Sequence, residues 1–220
     1  MRAGNFLSSL FSITDEQAMW RVRTQDDPQA FAQLVARWER PVLRVCARMT
    51  GDHSRGEDLK QETFTRVFVH RKEYRPDMKF SAWLWRIALN LCYDELRRVA
   101  RRSECPLEPD DLSAAGVSEP SEACPDARLV AEEESELVRQ GLLRLPETSR
   151  TVLVLRYCEG CKLREIAEIL QLPLTTISSR IAVALAQLTR ILQPKFSEQK
   201  VSVIKGSGPP RPLPTIVQSL

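Results

Sequence analysis

Six residues between positions 83 and 101 have the types and spacing to hold a strand of nucleic acid. Trp83, Arg86, Asn90, Asp94, Arg97 and Arg101 recur every three or four positions, which on a helix places them in a single stripe. An indole ring stacks on an unpaired base, an asparagine amide reads a base edge, and arginines hold the sugar-phosphate track. The alternative is that Trp83 and Trp85 are core residues and the arginines a solvated face. A second group lies near the C-terminus. Advancing 100° per residue along a helix through 174–192 turns Thr175, Thr176, Ser179, Arg180, Val183, Gln187 and Arg190 outward. Hydroxyls and unpaired backbone amides at a helix start hold phosphate and touch base edges in a major groove, with Arg180 as the leading contact. Only two cations sit on this face, so little counterion release is available and its own DNA affinity is weak. Such a surface works as part of a larger assembly.

The elements that must position these groups are helical. From Phe31, the residues Leu34, Val35, Trp38, Val42, Val45, Cys46 and Met49 keep three- and four-residue steps, with Pro41 expected to bend or split the helix and Thr50-Gly51-Asp52 to end it. A second stripe, Leu59, Thr63, Phe64, Val67 and Phe68, follows the acidic pair Glu57 and Asp58, which suits a helix start. After a polar loop from His70 to Lys79, Ser81 reads as the N-cap of a long helix through Arg102 that buries Leu84, Ile87, Ala88 and Leu91. Patterning resumes near Leu129 and runs through Leu142, Leu143 and Leu145. Pro146 then opens a helix lined by Val152, Leu153 and Leu155, which Glu159-Gly160 closes. Leu163 to Leu192 reads as two helices about a tight turn. Ile166, Ala167 and Leu170 face inward from the first, Leu172 plugs the corner, and Ile177, Ile181, Ala184, Leu185 and Leu188 line the second. Small Ala167 permits close crossing. The combination favours a DNA-binding helix-turn-helix over an ordinary helical hairpin.

Composition bounds the class. The chain has 220 residues, 43% apolar and only 6% aromatic, and a net charge of +3. That charge is unevenly spread: residues 1–102 carry 19 basic against 13 acidic groups, 103–134 carry 1 against 10, and the remainder 12 against 6. Two basic blocks flanking an acidic one suit a chain that grips a polyanion twice and keeps its middle off it. Residues 103–127 hold four prolines and no period, which reads as a linker. The tail from Phe196 onward is again proline-rich and without period. The longest apolar run, Ile181 to Ala186, is far short of a membrane span, and Phe6 to Phe11 lacks the marks of a secretory signal, so a cytoplasmic location is expected. Cys158 and Cys161 form the only CxxC, too few ligands for tetrahedral zinc, and Cys161 reads as a small hydrophobe at a helix turn. His53 and His70 lie in polar loops. With no paired carboxylates, no nucleophile-base pair and no phosphate-cradling glycine loop, the expectation is no enzyme, no cofactor, no metal and no small-molecule substrate.

Two sets of strings carry a family resemblance. Asp58 to Phe68 (DLKQETFTRVF), Phe80 to Asn90 (FSAWLWRIALN) and Asp94 to Arg98 (DELRR) resemble the sigma-2 domain of extracytoplasmic-function sigma factors of bacterial RNA polymerase, in the sigma-70 family. Leu145-Pro146-Glu147, Arg156-Tyr157, Glu159-Gly160, Glu165 to Leu170 and Thr176 to Arg180 resemble its sigma-4 domain. The resemblance covers roughly residues 15–102 and 130–193. It implies an all-α fold of two small helical domains, a sigma-2 bundle at 15–102 and a sigma-4 helix-turn-helix at 129–194. They would be joined by an acidic flexible linker at 103–128, with an N-terminal extension at 1–14 and a proline-rich tail at 195–220. It further implies that Asp58, Leu59, Gln61, Glu62 and Phe64 dock on the clamp coiled coil of core RNA polymerase. The loop 70–80 and Asn90 would capture a base flipped from the −10 element, Trp83 would belong to the same surface, and Arg86, Arg97 and Arg98 would hold the backbone. Thr175, Thr176, Ser178, Ser179 and Arg180 would meet the −35 element. Family members commonly carry basic residues where Ser178, Val183 and Leu185 stand here, and glycine where Gln171 and Thr175 stand.

The function so implied is promoter-specific transcription initiation, with core polymerase, promoter DNA and an anti-sigma factor as partners and no membrane insertion. The thin basic face of 174–192 keeps a rival in play, a sigma mimic that sequesters an anti-sigma factor without touching DNA. A free-standing repressor would need strong DNA affinity of its own.

Overall fold

The computed structural model describes residues 13–104 and 135–204. The extension, most of the acidic linker and the tail beyond residue 204 lie outside the described residues, as do the readings made on them. Among the described residues every regular element is helical: α1 (Asp15–Gln25), α2 (Pro28–Thr50), α3 (His53–Val69), a 3-10 turn (Arg71–Glu73), α4 (Phe80–Glu104), α5 (135–143), α6 (Glu147–Leu153), a π-helical turn (Val154–Cys158), α7 (Leu163–Leu170) and α8 (Leu174–Ile204). No single helix among them is long and apolar enough to cross a membrane.

Local chemistry explains most helix ends. Thr14 Oγ1 accepts from the Gln17 amide at 3.2 Å while Gln17 Oε1 accepts from the Thr14 amide at 3.1 Å, a capping box that starts α1. Asp27 Oδ1 accepts from Gln29 and Ala30 ahead of α2, with Pro28 at its first position, where the missing N–H costs nothing. The helix then runs continuously through Pro41 to Thr50 and is not split. One lost hydrogen bond is outweighed by burial on both sides of the proline: Leu34, Val42, Val45, Cys46 and Met49 are sealed from solvent, each worth about 1.5–3 kcal/mol for the larger ones. Trp38 Nε1 also donates to Asp15 Oδ2 at 3.0 Å, pinning the helix to α1.

Gly51 ends α2 at φ +80°, and the next residue, Asp52, caps α3 through the Arg55 amide. Helix α3 therefore begins at His53, a full turn ahead of the Glu57–Asp58 pair expected to open it. Likewise α4 begins at Phe80, its first bond running from the Trp83 amide to the Lys79 carbonyl at 3.2 Å, so Ser81 is inside the helix and caps nothing. The helical assignment of α8 reaches Ile204, past the boundary expected near residue 194.

A single buried core runs through both halves of the chain. In the N-terminal half, Tyr74, Phe80, Trp38 and Trp85 meet edge-on or tilted at ring separations of 5.8 to 6.3 Å, the favoured arrangement for aromatic quadrupoles. In the C-terminal half, Ile166 of α7 and Ile177, Ile181, Ala184 and Leu188 of α8 turn inward as their spacing requires. Between them Gln171 adopts φ +54°, ψ +43°, and Leu172 donates to the Ala167 carbonyl at 3.1 Å to close the turn. A left-handed residue with a Cβ is strained where glycine is not. Gln171→Gly is therefore expected to stabilise the chain by roughly 0.5–1 kcal/mol, read as a rise of about 2 °C in thermal unfolding.

Candidate nucleic-acid interface

The α4 stripe divides into three parts. Asn90, Asp94, Arg97 and Arg101 stand exposed in a row, with Arg98 beside them. Arg97 and Arg98 make surface ion pairs one turn back, to Asp94 at 3.4 Å and Glu95 at 2.7 Å, which solvent screens and DNA phosphates would readily replace. Trp83 is half-buried, its ring tilted against Tyr74 at 5.3 Å and Phe80 at 6.4 Å, so the aromatic end of the stripe packs onto the loop before α4. Trp85 is a core residue. Arg86 is the surprise: it points toward the other half of the chain, Nη2 donating to the Glu168 carbonyl at 2.9 Å and Nε to the Ile169 carbonyl at 3.2 Å.

On α3 the residues expected to meet the polymerase split by periodicity. Asp58, Gln61 and Glu62 are exposed, whereas Leu59 and Phe64 are 9% and 7% exposed and belong to the core. At 100° per residue Leu59, Thr63, Phe64 and Val67 fall on the side of α3 that faces the core, and Asp58, Gln61 and Glu62 fall on the opposite side. Leu59 and Phe64 hold α3 in place and present its polar side.

At the start of α8, Thr175, Ser178 and Ser179 are exposed, and Thr176 and Arg180 are half-buried. Ser179 Oγ donates back to the Thr176 carbonyl at 3.0 Å. Val183 and Arg190 are exposed as expected, but Gln187 is not free, its Oε1 accepting from Ser149 Oγ at 3.1 Å.

Sequence reasoning missed the seam between the two halves. Arg150 of α6, 6% exposed, donates from Nε to the Leu142 carbonyl at 3.0 Å and from Nη2 to those of Leu143 and Leu145 at 2.7 and 3.2 Å. Its Nη1 reaches across to the Met49 carbonyl at the end of α2. Burial pulls the guanidinium below its ordinary pKa, opposed by Glu147, yet an arginine stays charged throughout the physiological range. Beside it Thr151 shares a 2.7 Å hydrogen bond with Tyr93 of α4, whose own phenol is pushed up chiefly by burial. Arg139 donates to the Gly51 carbonyl at 3.1 Å, and a Cβ on Gly51 would strike Leu143 at 2.7 Å. Farther along, Arg44 grips Glu159 with two bonds of 3.1 and 3.0 Å, and Lys79 reaches Glu165 at 3.3 Å. Burial raises the Glu159 pKa against the pull of Arg44, because the carboxylate is almost enclosed. The fit is imperfect. Arg48 Nη1 is buried with no acceptor among the described residues, a cost of about 1–3 kcal/mol, and the Arg48 charge acts on Cys158 and Glu159 at the same seam.

Residues 34–102 match Sigma-70 region 2, and residues 135–188 match Sigma-70, region 4. The ECF RNA polymerase sigma factor SigW of Bacillus subtilis is 34% identical over 160 residues, covering 70% of this chain and 84% of its own. The chain belongs to the ECF sigma factors. Another relative of this sigma factor, the RNA polymerase sigma-H factor of Pseudomonas aeruginosa, is 30% identical over 187 residues, 84% of this chain and 96% of that one. Among solved structures, CnrH in complex with the cytosolic domain of CnrY matches with a TM-score of 0.58 at 28% identity, covering 82% of this chain and 97% of that chain. The RpoE sigma factor of Bartonella quintana, in complex with the anti-sigma factor NepR, shares the fold at a TM-score of 0.57 and 19% identity, over 74% and 96% of the two chains. The region 2 match ends at residue 102 and the region 4 match begins at 135, so Arg86, Arg150 and the Arg44–Glu159 pair all join one sigma region to the other.

Proposed function

We propose that this sigma factor recruits core RNA polymerase through Asp58, Gln61 and Glu62 on the exposed side of α3 and directs it to promoters through two DNA surfaces. Residues 15–102 and 129–194 are the two functional domains, with 103–128 as the connection between them. The observation that carries the reading is the row Asn90, Arg97, Arg98 and Arg101 standing clear of the core on α4, while the opposite side of the same helix is sealed. An amide flanked by arginines along one line suits a single strand, the amide reading a base and the cations following its phosphates.

Strand opening then follows from differential binding. A base turned out of the stack exists only in the melted state, so a site beside Asn90 and the 70–80 loop that holds such a base shifts the equilibrium toward the bubble. Asn90→Ala is expected to lower open-complex formation about tenfold while polymerase-dependent closed binding changes less than twofold, measured by permanganate reactivity and by filter binding in parallel. Equal losses in both would overturn the assignment.

The −35 element is met by the hydroxyl-rich start of α8, with Thr175, Ser178 and Ser179 exposed and Arg180 at its flank. With Ser178, Val183 and Leu185 uncharged, this contact is weak alone and gains from the polymerase that fixes its distance to the −10 surface. The sigma factor contributes binding and no covalent chemistry. An anti-sigma factor is its regulatory partner, by analogy with the complexes of CnrH and of the Bartonella protein. Run-off transcription with core polymerase separates this reading from a sigma mimic, which would yield no transcript.

A further inference from the structure

We infer that this sigma factor reads its upstream promoter element through thymine methyl groups, with Val183 as the residue that sets the preference. This deepens the −35 role proposed above and rests on it. At 100° per residue, Thr175, Ser179, Ala182, Val183 and Ala186 of α8 fall within about 60° of the Ser179 direction. All five are exposed, Val183 by 55%. From 175 to 186 that arc presents methyl groups and hydroxyls and carries no charge. Nothing on α8 repels DNA either, because no acidic residue occurs from 169 to 197.

Each base pair shows the major groove its own set of donors, acceptors and methyl group, so the residue types on the arc decide what it reads. A guanine edge calls for the paired donors of arginine or lysine, and the arc has neither. Arg180 stands about 100° round from Ser179 and is half-buried, on the side where Tyr93 of α4, a phenol pushed up chiefly by burial, feels its charge. A cytosine amine calls for a carboxylate, which α8 lacks there. An adenine edge calls for a free carboxamide, but Gln187 Oε1 already accepts from Ser149 Oγ at 3.1 Å. The hydroxyls do not choose between bases, and Ser179 Oγ already donates to the Thr176 carbonyl at 3.0 Å. What remains with a preference is apolar contact. The thymine C5-methyl is the one apolar group a base pair places in this groove, and Val183 meets it with two methyls of its own, flanked by Ala182 and Ala186.

The test uses the chain assembled with core polymerase and a duplex DNA library randomised across both promoter elements. Selection should enrich thymine at two or more positions of the upstream element. Replacing those thymines by deoxyuridine removes the methyl and leaves the pairing edge intact, and it should weaken binding roughly fourfold per methyl. Val183→Ala should bring the thymine and uracil duplexes within about twofold of each other, while uracil placed in the downstream element should act alike on both proteins. Because Val183 is exposed, circular dichroism should show the variant fully folded. An upstream element enriched in guanine, or a uracil penalty that is absent or survives Val183→Ala unchanged, would overturn methyl readout and leave promoter recognition standing. Failure to enrich any sequence would defeat the functional reading, and this inference with it.

Discussion

Replacement of Arg150 by alanine is expected to lower the unfolding free energy of this sigma factor by about 3–5 kcal/mol, seen as a fall of roughly 10 °C in thermal unfolding. The guanidinium serves four carbonyl acceptors at once: Leu142, Leu143 and Leu145 at and just beyond the end of α5, and Met49 at the end of α2. These are groups that a helix C-terminus leaves without internal partners, and at this depth water does not replace the lost donor. Alanine also removes the side chain that fills the space between α2, α5 and α6, so a void adds to the unpaired carbonyls. Arg150→Lys should recover less than half of the loss, because a single ammonium cannot reproduce a planar fork with donors on separate nitrogens. A loss under about 1 kcal/mol in urea denaturation would show that the carbonyls find other partners and that Arg150 is no keystone.

Gly56→Leu should be of similar size, about 3 kcal/mol or more, for the opposite physical reason. Where α3 crosses α2, an ideal Cβ on Gly56 would lie 2.9 Å from the Ala47 backbone nitrogen and 3.0 Å from its Cα and Cβ. Nothing there is the far end of a flexible side chain, so the helices themselves must separate. Glycine inside a helix ordinarily costs about 1 kcal/mol against alanine, and removing that cost works in favour of the substitution. The sign is nevertheless destabilising, because separating α2 and α3 loosens contacts around the buried Val45, Cys46, Leu59 and Thr63. Gly56→Ala should fall between, at roughly 1–2 kcal/mol. If Gly56→Ala stabilised the chain in a thermal melt, the close crossing would not be rigid.

From Phe31 onward helix existence was legible because the amphipathic elements carry their own periodic signal, whereas α1 (Asp15–Gln25) was not read from the sequence. The inward set of the helix-turn-helix, Ile166, Ile177, Ile181, Ala184 and Leu188, could be placed from spacing alone, and the strings around Asp58, Trp83 and Ile166 carried the family. Helix starts were less legible. Neither the Asp52 cap nor the Thr14–Gln17 capping box was read from the sequence, and the acidic pair Glu57–Asp58 and the serine at 81 pointed to starts instead, because a cap is decided by backbone geometry. The candidate site shows the same division. Exposure of Asn90, Arg97 and Arg101 agreed with their spacing, whereas Arg86, on the same stripe, was diverted by groups more than eighty positions away in the chain.

The order of residues by itself determined the helical class, the apolar faces and the two sigma regions, because period and local motif act within a few residues of one another. Tertiary structure alone decided that Arg150 ties the ends of α2 and α5, that Arg44 grips Glu159, and that Arg86 is held by carbonyls of α7. Those outcomes depend on which surface arrives opposite a side chain once both halves share a core, and a buried donor is directed by the nearest unpaired acceptor whatever its distance along the chain.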